Sequence, residues 1–461
     1  MIVMKKLPFL IVIPLILIML VACGAKAPTG PTPTTDPVIA AAGEKVVDDL
    51  VAGNADAVFA LFDEKVAKAL PMEQVAGLWD QLVAQVGTYR GRGSASVAPN
   101  MEYLVASVPV NFEKQALILN VVFNKDRKIS GLNFQPATTP TPAAYIQPVY
   151  VDTGAFTEED VTIGSSKWSL PGTLTLPKGK GPFPAVVLVH GSGPNDRDET
   201  IGPNRPFKDI AWGLASQGIA VLRYDKRTKA HADLYTPAEL EKITLGTETI
   251  DDAILAADLL AKNPKIDPKQ IYILGHSQGG MAAPRIGEQD AQLAGLIILA
   301  GPARPLEDII IDQLTYIAGV DGTVTDAEKN SIDMAKTAAE KVKDPNLTVK
   351  TPSSEFSLGI PASWWQDVRG YNPAEVAKNL AMPILLLQGG RDYQVTKTDF
   401  ELWQRAMKDK ANAKLVFFPD LNHLFITGKG MATPEEYSKP GTVAAEVIDQ
   451  IATWVLASSG K

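Results

Sequence analysis

Two folds are predicted along this 461-residue chain: an α/β domain with a mostly parallel sheet in the second half, and a small α+β domain ahead of it. Three observations predict them. From about residue 158 onward, short uninterrupted apolar runs alternate with amphipathic stretches, the pattern of parallel strands covered on both faces by helices. Upstream, helical spacing comes first and alternating strand patterns follow, which is an α+β order. Pro/Thr-rich stretches at 25–37 and 136–142 mark the joints between parts.

The chain opens on an export signal. Lys5 and Lys6 precede an apolar run over 7–21. That run is shorter than the roughly 20 residues of a membrane-spanning helix and has the layout of a secretory signal. It ends in Leu20-Val21-Ala22-Cys23, which resembles the lipobox of bacterial lipoproteins. The resemblance implies removal of residues 1–22, lipidation of the Cys23 sulfur, and an exported protein anchored to a membrane and facing away from the cytoplasm. Lipid chains contribute about 0.8 kcal/mol per buried methylene, so several hold a protein at a surface without a span. Gly24 follows the cysteine, so the family's inner-membrane retention aspartate is absent.

Cys23 is the single cysteine. The exported part therefore has no disulfide, thiolate metal site or thiol nucleophile, and must rely on packing. Its length suffices for two cores. The formal charge is −8, and −10 once residues 1–22 and their two lysines are removed. An acidic balance argues against nucleic acid as a partner.

The prolines at 23–37 predict an extended spacer. Residues 38–135 form the small domain. Spacing predicts helices over 38–50 and 56–61 and a further one opened by Pro71, then strands over 101–110, 115–123 and 128–134. The layout resembles the cone-shaped, nuclear-transport-factor-like domains found ahead of some exported hydrolases. This unit has no histidine or cysteine, so no metal or catalytic set is assigned to it, and Trp79 and Tyr89 read as core rings before pocket rings. A second spacer is expected over 136–150.

Residues 151–461 carry the α/β domain. A hairpin is predicted over 160–176, then strands at 185–189, 219–224, 271–274, 296–300, 384–387 and 414–418. Helices are predicted at 207–217, 249–263, 280–289, 398–408 and 442–455. Sheets of this kind place their working groups in loops at the carboxyl ends of the strands.

The stretch around which the chain is organised is Gly275-His276-Ser277-Gln278-Gly279, a G-x-S-x-G nucleophile elbow with a strand before it and a helix after. A serine hydroxyl is a weak nucleophile, so it needs a sharp turn that presents it to a base and to oxyanion donors. After the first parallel strand comes His190-Gly191-Ser192-Gly193-Pro194, which resembles the H-G-x-G oxyanion loop of α/β-hydrolases. The resemblance makes the Ser192 amide the first choice of donor, with Gly193 second, and the Gln278 amide the other donor.

Asp392 follows the strand at 384–387 and His423 follows the strand at 414–418. The order Ser277, Asp392, His423 resembles that of the α/β-hydrolase superfamily, and within it of the dienelactone-hydrolase-like serine esterases, over residues 158–458. The likeness implies a Ser-His-Asp triad acting on carboxylic esters through an acyl-enzyme, with a small-molecule ester as substrate. No metal or organic cofactor is required. Of the four histidines, His190 belongs to the oxyanion loop, His276 adjoins the nucleophile, and His231 reads as a solvated loop residue. Asp420 is a rival acid in the His423 loop, and Asp225, in Arg223-Tyr224-Asp225-Lys226-Arg227, is expected to form ion pairs at the rim.

Between 302 and 380 the sheet pattern is interrupted. Helical spacing at 309–316 and 326–342, the latter started by Thr325 with Glu328, resembles the helical caps of many α/β-hydrolases, and Trp364 and Trp365 are expected to shape an acyl pocket. The triad itself leaves three alternatives open: a serine peptidase of aminopeptidase or prolyl-oligopeptidase type, an acyltransferase or thioesterase, and a non-catalytic binding module.

Overall fold

The computed structural model describes residues 36–100, 103–137, 145–165 and 167–458. The export signal, Cys23 and the first spacer up to residue 35 lie outside the described residues. The chain divides into two compact units, residues 36–137 and 145–458. Among the described residues no helix is long and apolar enough to cross a membrane.

The first unit opens with the helix Pro37–Val51. Asp36 caps it, its Oδ1 accepting from the Val38 and Ile39 amides at 3.0 and 3.1 Å, and Pro37 takes the first turn, where a missing N–H costs nothing. The helix Met72–Val86 has Pro71 at its N-cap, one step outside the helix it was expected to open. Five antiparallel strands follow: β1 Tyr89–Arg92, β2 Ser96–Asn100, β3 Tyr103–Phe112, β4 Ala116–Phe123 and β5 Ile129–Pro136, ordered β1-β3-β4-β5 with β2 also on β3. Alternate residues of β4 (Leu117, Leu119, Val121, Phe123) are buried against the helices. Gly43 sits where a Cβ would come within 2.6 Å of Ala106 Cβ, so the first helix lies close on β3. Strands β1 and β2 were not expected: Gly91, Gly93 and the charged residues around them break the apolar alternation, and only pairing with β3 makes them strands. Trp79 packs against Tyr89, Phe112 and Phe134 in this core.

The expected spacer over 136–150 is shorter at both ends. Pro136 completes β5, which it can do because β5 is an edge strand and needs no further donor. On the other side, the Tyr145 hydroxyl donates to Asp209 Oδ1 at 2.7 Å and the Tyr150 hydroxyl to Val443 O at 2.9 Å. Both tyrosines thus belong to the second unit.

That unit is built on eight strands: β6 Phe156–Ile163, β7 Leu170–Pro177, β8 Phe183–Val189, β9 Ala220–Tyr224, β10 Ile266–His276, β11 Gly295–Leu299, β12 Ile384–Gly389 and β13 Ala413–Phe418. Their order is β13-β12-β11-β10-β8-β9-β7-β6. The β6–β7 hairpin is antiparallel, and β8 to β13 are parallel. Side chains alternate between two apolar layers. Val187, Val189, Ile273, Ile298 and Leu386 face the helices Asp251–Ala261 and Gln278–Gln289. Val186, Leu188, Leu274, Ile297 and Leu387 face Pro206–Ser216 and Ala445–Ser458. Because the chain places β9 on one side of β8 and then returns to place β10 on the other, strand order reverses between β8 and β10. A crevice at the carboxyl ends is expected there.

The insertion between β11 and β12 holds the helices Leu306–Gly319, Asp326–Lys343, Ala362–Val368 and Pro373–Asn379. Thr325 and Glu328 form a reciprocal capping box at the start of the second. The single helix expected over 249–263 instead begins with a π turn at Gly246–Ile250, a local widening that is frequent near functional sites.

Leu274, fully buried in β10, tests the central layer. Leu274→Ala should cost about 2–5 kcal/mol, the usual price of a core leucine truncation, read as a lower urea midpoint with an unchanged slope.

Candidate active site

The elbow is fixed by backbone crowding. Ser277 takes φ 53° and ψ −118° between β10 and the helix Gln278–Gln289, a strained backbone for a residue with a side chain. A Cβ on Gly275 would lie 2.1 Å from Gly279 O, and one on Gly279 would lie 2.1 Å from Val189 O. Only glycine fits at either position, because the turn presses against its own helix and against the end of β8. Ser277 N donates to Leu299 O at 2.9 Å and its carbonyl accepts from Met281 N at 3.0 Å, which closes the turn while leaving the side chain half-buried.

Asp392, in the loop after β12, is 1% exposed. Its Oδ1 accepts from the Gln394 and Val395 amides at 2.8 and 3.0 Å. Oδ2 lies 2.7 Å from His423 Nδ1, with Gln388 Nε2 at 3.3 Å. His423 follows β13 and is 4% exposed. Its ring centroid lies 4.7 Å from that of His276, the residue before Ser277, and its carbonyl is 2.9 Å from His276 Nε2. The structure thus brings Asp392 and His423 into direct contact and sets them beside the elbow. The rival Asp420 is exposed.

In the loop after β8, Gly191 N donates to Glu199 Oε1 at 2.7 Å. The Ser192 amide has no acceptor among the described residues. Gln278 is the first residue of its helix, where an amide has no partner within the helix. Asn195 Nδ2 donates to the Gly191, Ser192 and Gly193 carbonyls at 3.1–3.3 Å and knots this loop on itself.

Sequence reasoning missed three buried acids and bases around these residues. Glu199, at φ 50° and 2% exposed, contacts His276 Nδ1 at 2.8 Å through Oε2. Burial opposes both charges, but each supplies the other's counter-charge. Glu199 is thereby held below the ordinary carboxylate range and His276 above the ordinary imidazole range. Lys226, 2% exposed, pairs with Glu248 on the π turn at 2.8 Å. The run containing Lys226 stood out in the sequence, yet nothing local marks Glu199 or Glu248. Asp225 does pair with Arg197, at 3.0 Å. His231 is half-buried, its Nε2 2.8 Å from Ser169 O and its ring on Trp168, so it is not the solvated loop residue expected.

Trp364 and Trp365 also differ from expectation. They are 2% and 1% exposed and lie in the core shared with the sheet's helices. The Trp364 indole N–H donates to Glu248 Oε2 at 3.3 Å. Their apolar area is spent on seating the helix Ala362–Val368, which leaves little ring surface for an acyl chain.

A parallel sheet with a serine elbow at the strand-order reversal and an Asp–His pair at two neighbouring strand ends defines the α/β-hydrolase class. Residues 186–437 match the model of the Alpha/beta hydrolase family, and the chain belongs to that family. Within it the chain stands with the carboxylic ester hydrolases: it is 40% identical to Esterase EstD of Thermotoga maritima over 410 residues, 89% of this chain and 93% of that one. Residues 43–132 match a family described as of unknown function (DUF3887). Among solved structures, Est1E from Butyrivibrio proteoclasticus aligns at 17% identity and TM-score 0.43, covering 66% of this chain and 99% of that one. A putative dienelactone hydrolase from Klebsiella pneumoniae aligns at 18% and 0.38, covering 66% and 99%. An acylaminoacyl peptidase from Pyrococcus horikoshii aligns at 14% and 0.42, covering 78% and 55%.

His190 provides a pH test of the loop that follows β8. Burial drives its imidazole down to about 4, whereas in the unfolded chain it titrates near 6.5. Between those values the unfolded chain binds the extra proton, so His190 lowers stability as pH falls from about 6.5 toward 4. The urea unfolding free energy of wild type minus that of His190→Gln, measured at pH 7.5, 6 and 4.5, should fall as the pH drops, whatever its value at neutral pH. A gap independent of pH would remove His190 as the cause.

Proposed function

We propose that the protein hydrolyses carboxylic esters of small molecules by a Ser277–His423–Asp392 triad through an acyl-serine intermediate. The observation that carries this reading is the buried 2.7 Å contact between His423 Nδ1 and Asp392 Oδ2 beside a strained serine elbow. In this reading Ser277 Oγ attacks the ester carbonyl while His423 Nε2 takes its proton. Asp392, already holding two backbone amides, keeps Nδ1–H pointed at itself and stabilises the imidazolium. The Ser192 and Gln278 amides receive the oxyanion. Collapse breaks the carbon–oxygen bond, and His423 returns its proton to the departing alcohol. His423 then takes a proton from water as its oxygen attacks the acyl carbon; collapse breaks the bond to Ser277 Oγ, which recovers its proton from His423 as the acid leaves.

Soluble protein from Gly24 onward should turn over p-nitrophenyl esters. Ser277→Ala and His423→Ala should lower kcat by about 10⁴–10⁶-fold, and Asp392→Asn by about 10⁴-fold, with KM within a few-fold. Wild-type rates in Ser277→Ala would overturn the triad. Faster cleavage of aminoacyl-p-nitroanilides than of esters, lost in the same variant, would move the reading to a peptidase.

We also propose that residues 1–22 direct export and that Cys23 carries a lipid anchor; the apolar run and the cysteine that ends it support this. Full-length protein expressed in bacteria should take up labelled palmitate and fractionate with membranes, and Cys23→Ser should do neither. Unlabelled wild type would refute the anchor.

A further inference from the structure

The loop after β9 sends one lysine into the interior beside the proposed oxyanion donors, and the triad chemistry does not use it. Lys226 Nζ donates to Gly191 O at 2.9 Å and pairs with Glu248 Oε1 at 2.8 Å. Its own amide donates to Asn195 O at 3.0 Å, so backbone and side chain both grip the loop that follows β8.

Gly191 O belongs to the same peptide unit as Ser192 N–H. That unit is planar and trans, so the N–H points away from whatever holds the carbonyl. An ammonium on the carbonyl therefore aims the Ser192 amide. It also polarises the peptide and makes the amide a stronger donor, because linked hydrogen bonds in a low-dielectric interior reinforce one another.

Glu248 extends the same control to the second donor. Its Oε2 accepts from Gln278 Nε2 at 3.1 Å and from Trp364 Nε1 at 3.3 Å. Gln278 supplies the other proposed oxyanion amide, and Trp364 comes from the cap insertion. The carboxylate reaches them from the π turn Gly246–Ile250, which places Glu248 inward at 9% exposure. One ion pair thus touches the peptide unit of one donor, the side chain of the residue that carries the other, and one cap helix.

A buried ion pair is a weak source of stability: swapping both partners for apolar groups is often neutral, whereas removing one leaves an unpaired charge. A pair that adds little stability is better accounted for by the geometry it imposes. We infer that the Lys226–Glu248 pair polarises the Ser192 amide and positions both oxyanion amides, and so acts on the transition state of ester hydrolysis rather than on substrate binding. The inference rests on the reading of Ser192 and Gln278 as oxyanion donors to the Ser277 adduct. Lys226 and Glu248 are positioning residues; neither touches the substrate.

The test compares Lys226→Met, Glu248→Gln and the double variant with wild type and Ser277→Ala, on p-nitrophenyl butyrate and an aliphatic trifluoromethyl ketone. The ketone forms a tetrahedral adduct whose oxyanion needs the same two amides. Lys226→Met should lose about 10²–10³-fold in kcat, the range for an oxyanion donor, with KM within about twofold, and should bind the ketone correspondingly more weakly. The single variant leaves Glu248 unpaired and should melt at a lower temperature, while the double variant removes both charges and should recover much of the melting temperature without recovering kcat.

Recovery of kcat together with stability in the double variant would reduce the pair to a structural role and overturn the inference. So would an unchanged kcat in Lys226→Met, or a loss confined to KM. Those failures are distinct from failure of the triad reading, which would show as wild-type turnover in Ser277→Ala and would take this inference with it.

Discussion

The crowding of backbone at the elbow is the constraint on which the second unit depends. Ser277 can occupy its strained conformation only because Gly275 and Gly279 bring β10, the following helix and the end of β8 within contact of one another. That approach draws the loop after β8 against the loop after β10. It sets that loop and the serine side by side. The strain is offset by the packing of two apolar layers, in which the central strands are almost wholly buried.

Around the elbow the interior holds its acids and bases in pairs. Glu199 meets His276, Lys226 meets Glu248, and Asp392 meets His423. Each partner would be costly alone: breaking a buried pair by removing one member costs about 3–5 kcal/mol. With Lys226 Nζ on Gly191 O and His276 Nε2 beside His423 O, the pairs tie the segments after β8, β9, β12 and β13 and the end of β10 to one another. His190 is the exception, since burial leaves its ring neutral among Phe207 and Tyr224. The site is therefore held at several strand ends at once, as preorganised electrostatics requires.

The cap insertion is continuous with the body's core and not a separate layer. Trp364, Trp365 and Phe356 share one apolar cluster with the helices that flank β8 and β10. The Trp364 N–H reaches the carboxylate that also meets Gln278. Cap position and elbow position are consequently linked through Glu248. The first unit keeps its own core of helix on antiparallel sheet.

Much of the second unit was legible residue by residue. The apolar runs around Val187, Leu274, Ile297, Leu386 and Val416 are strands because a doubly covered strand must be apolar on both faces, and that demand is met within five or six residues. The elbow was legible for the same reason: its glycines answer a steric need inside one turn. Asp392 and His423 stood out because each ends such a strand. Beyond that reach the sequence was silent. Strands β1 and β2 lack an apolar alternation and exist through β3. The tryptophans of the cap face inward because a core lies beneath them. Lys226 and Glu248 lie 35 and 30 residues from the loop and elbow groups they hold, and their meeting depends on strand order, not on spacing. Local periodicity and local sterics determine elements and tight turns. Buried ion pairs join elements distant in sequence, and only the tertiary fold, by excluding water from both partners at one place, decides which charges meet.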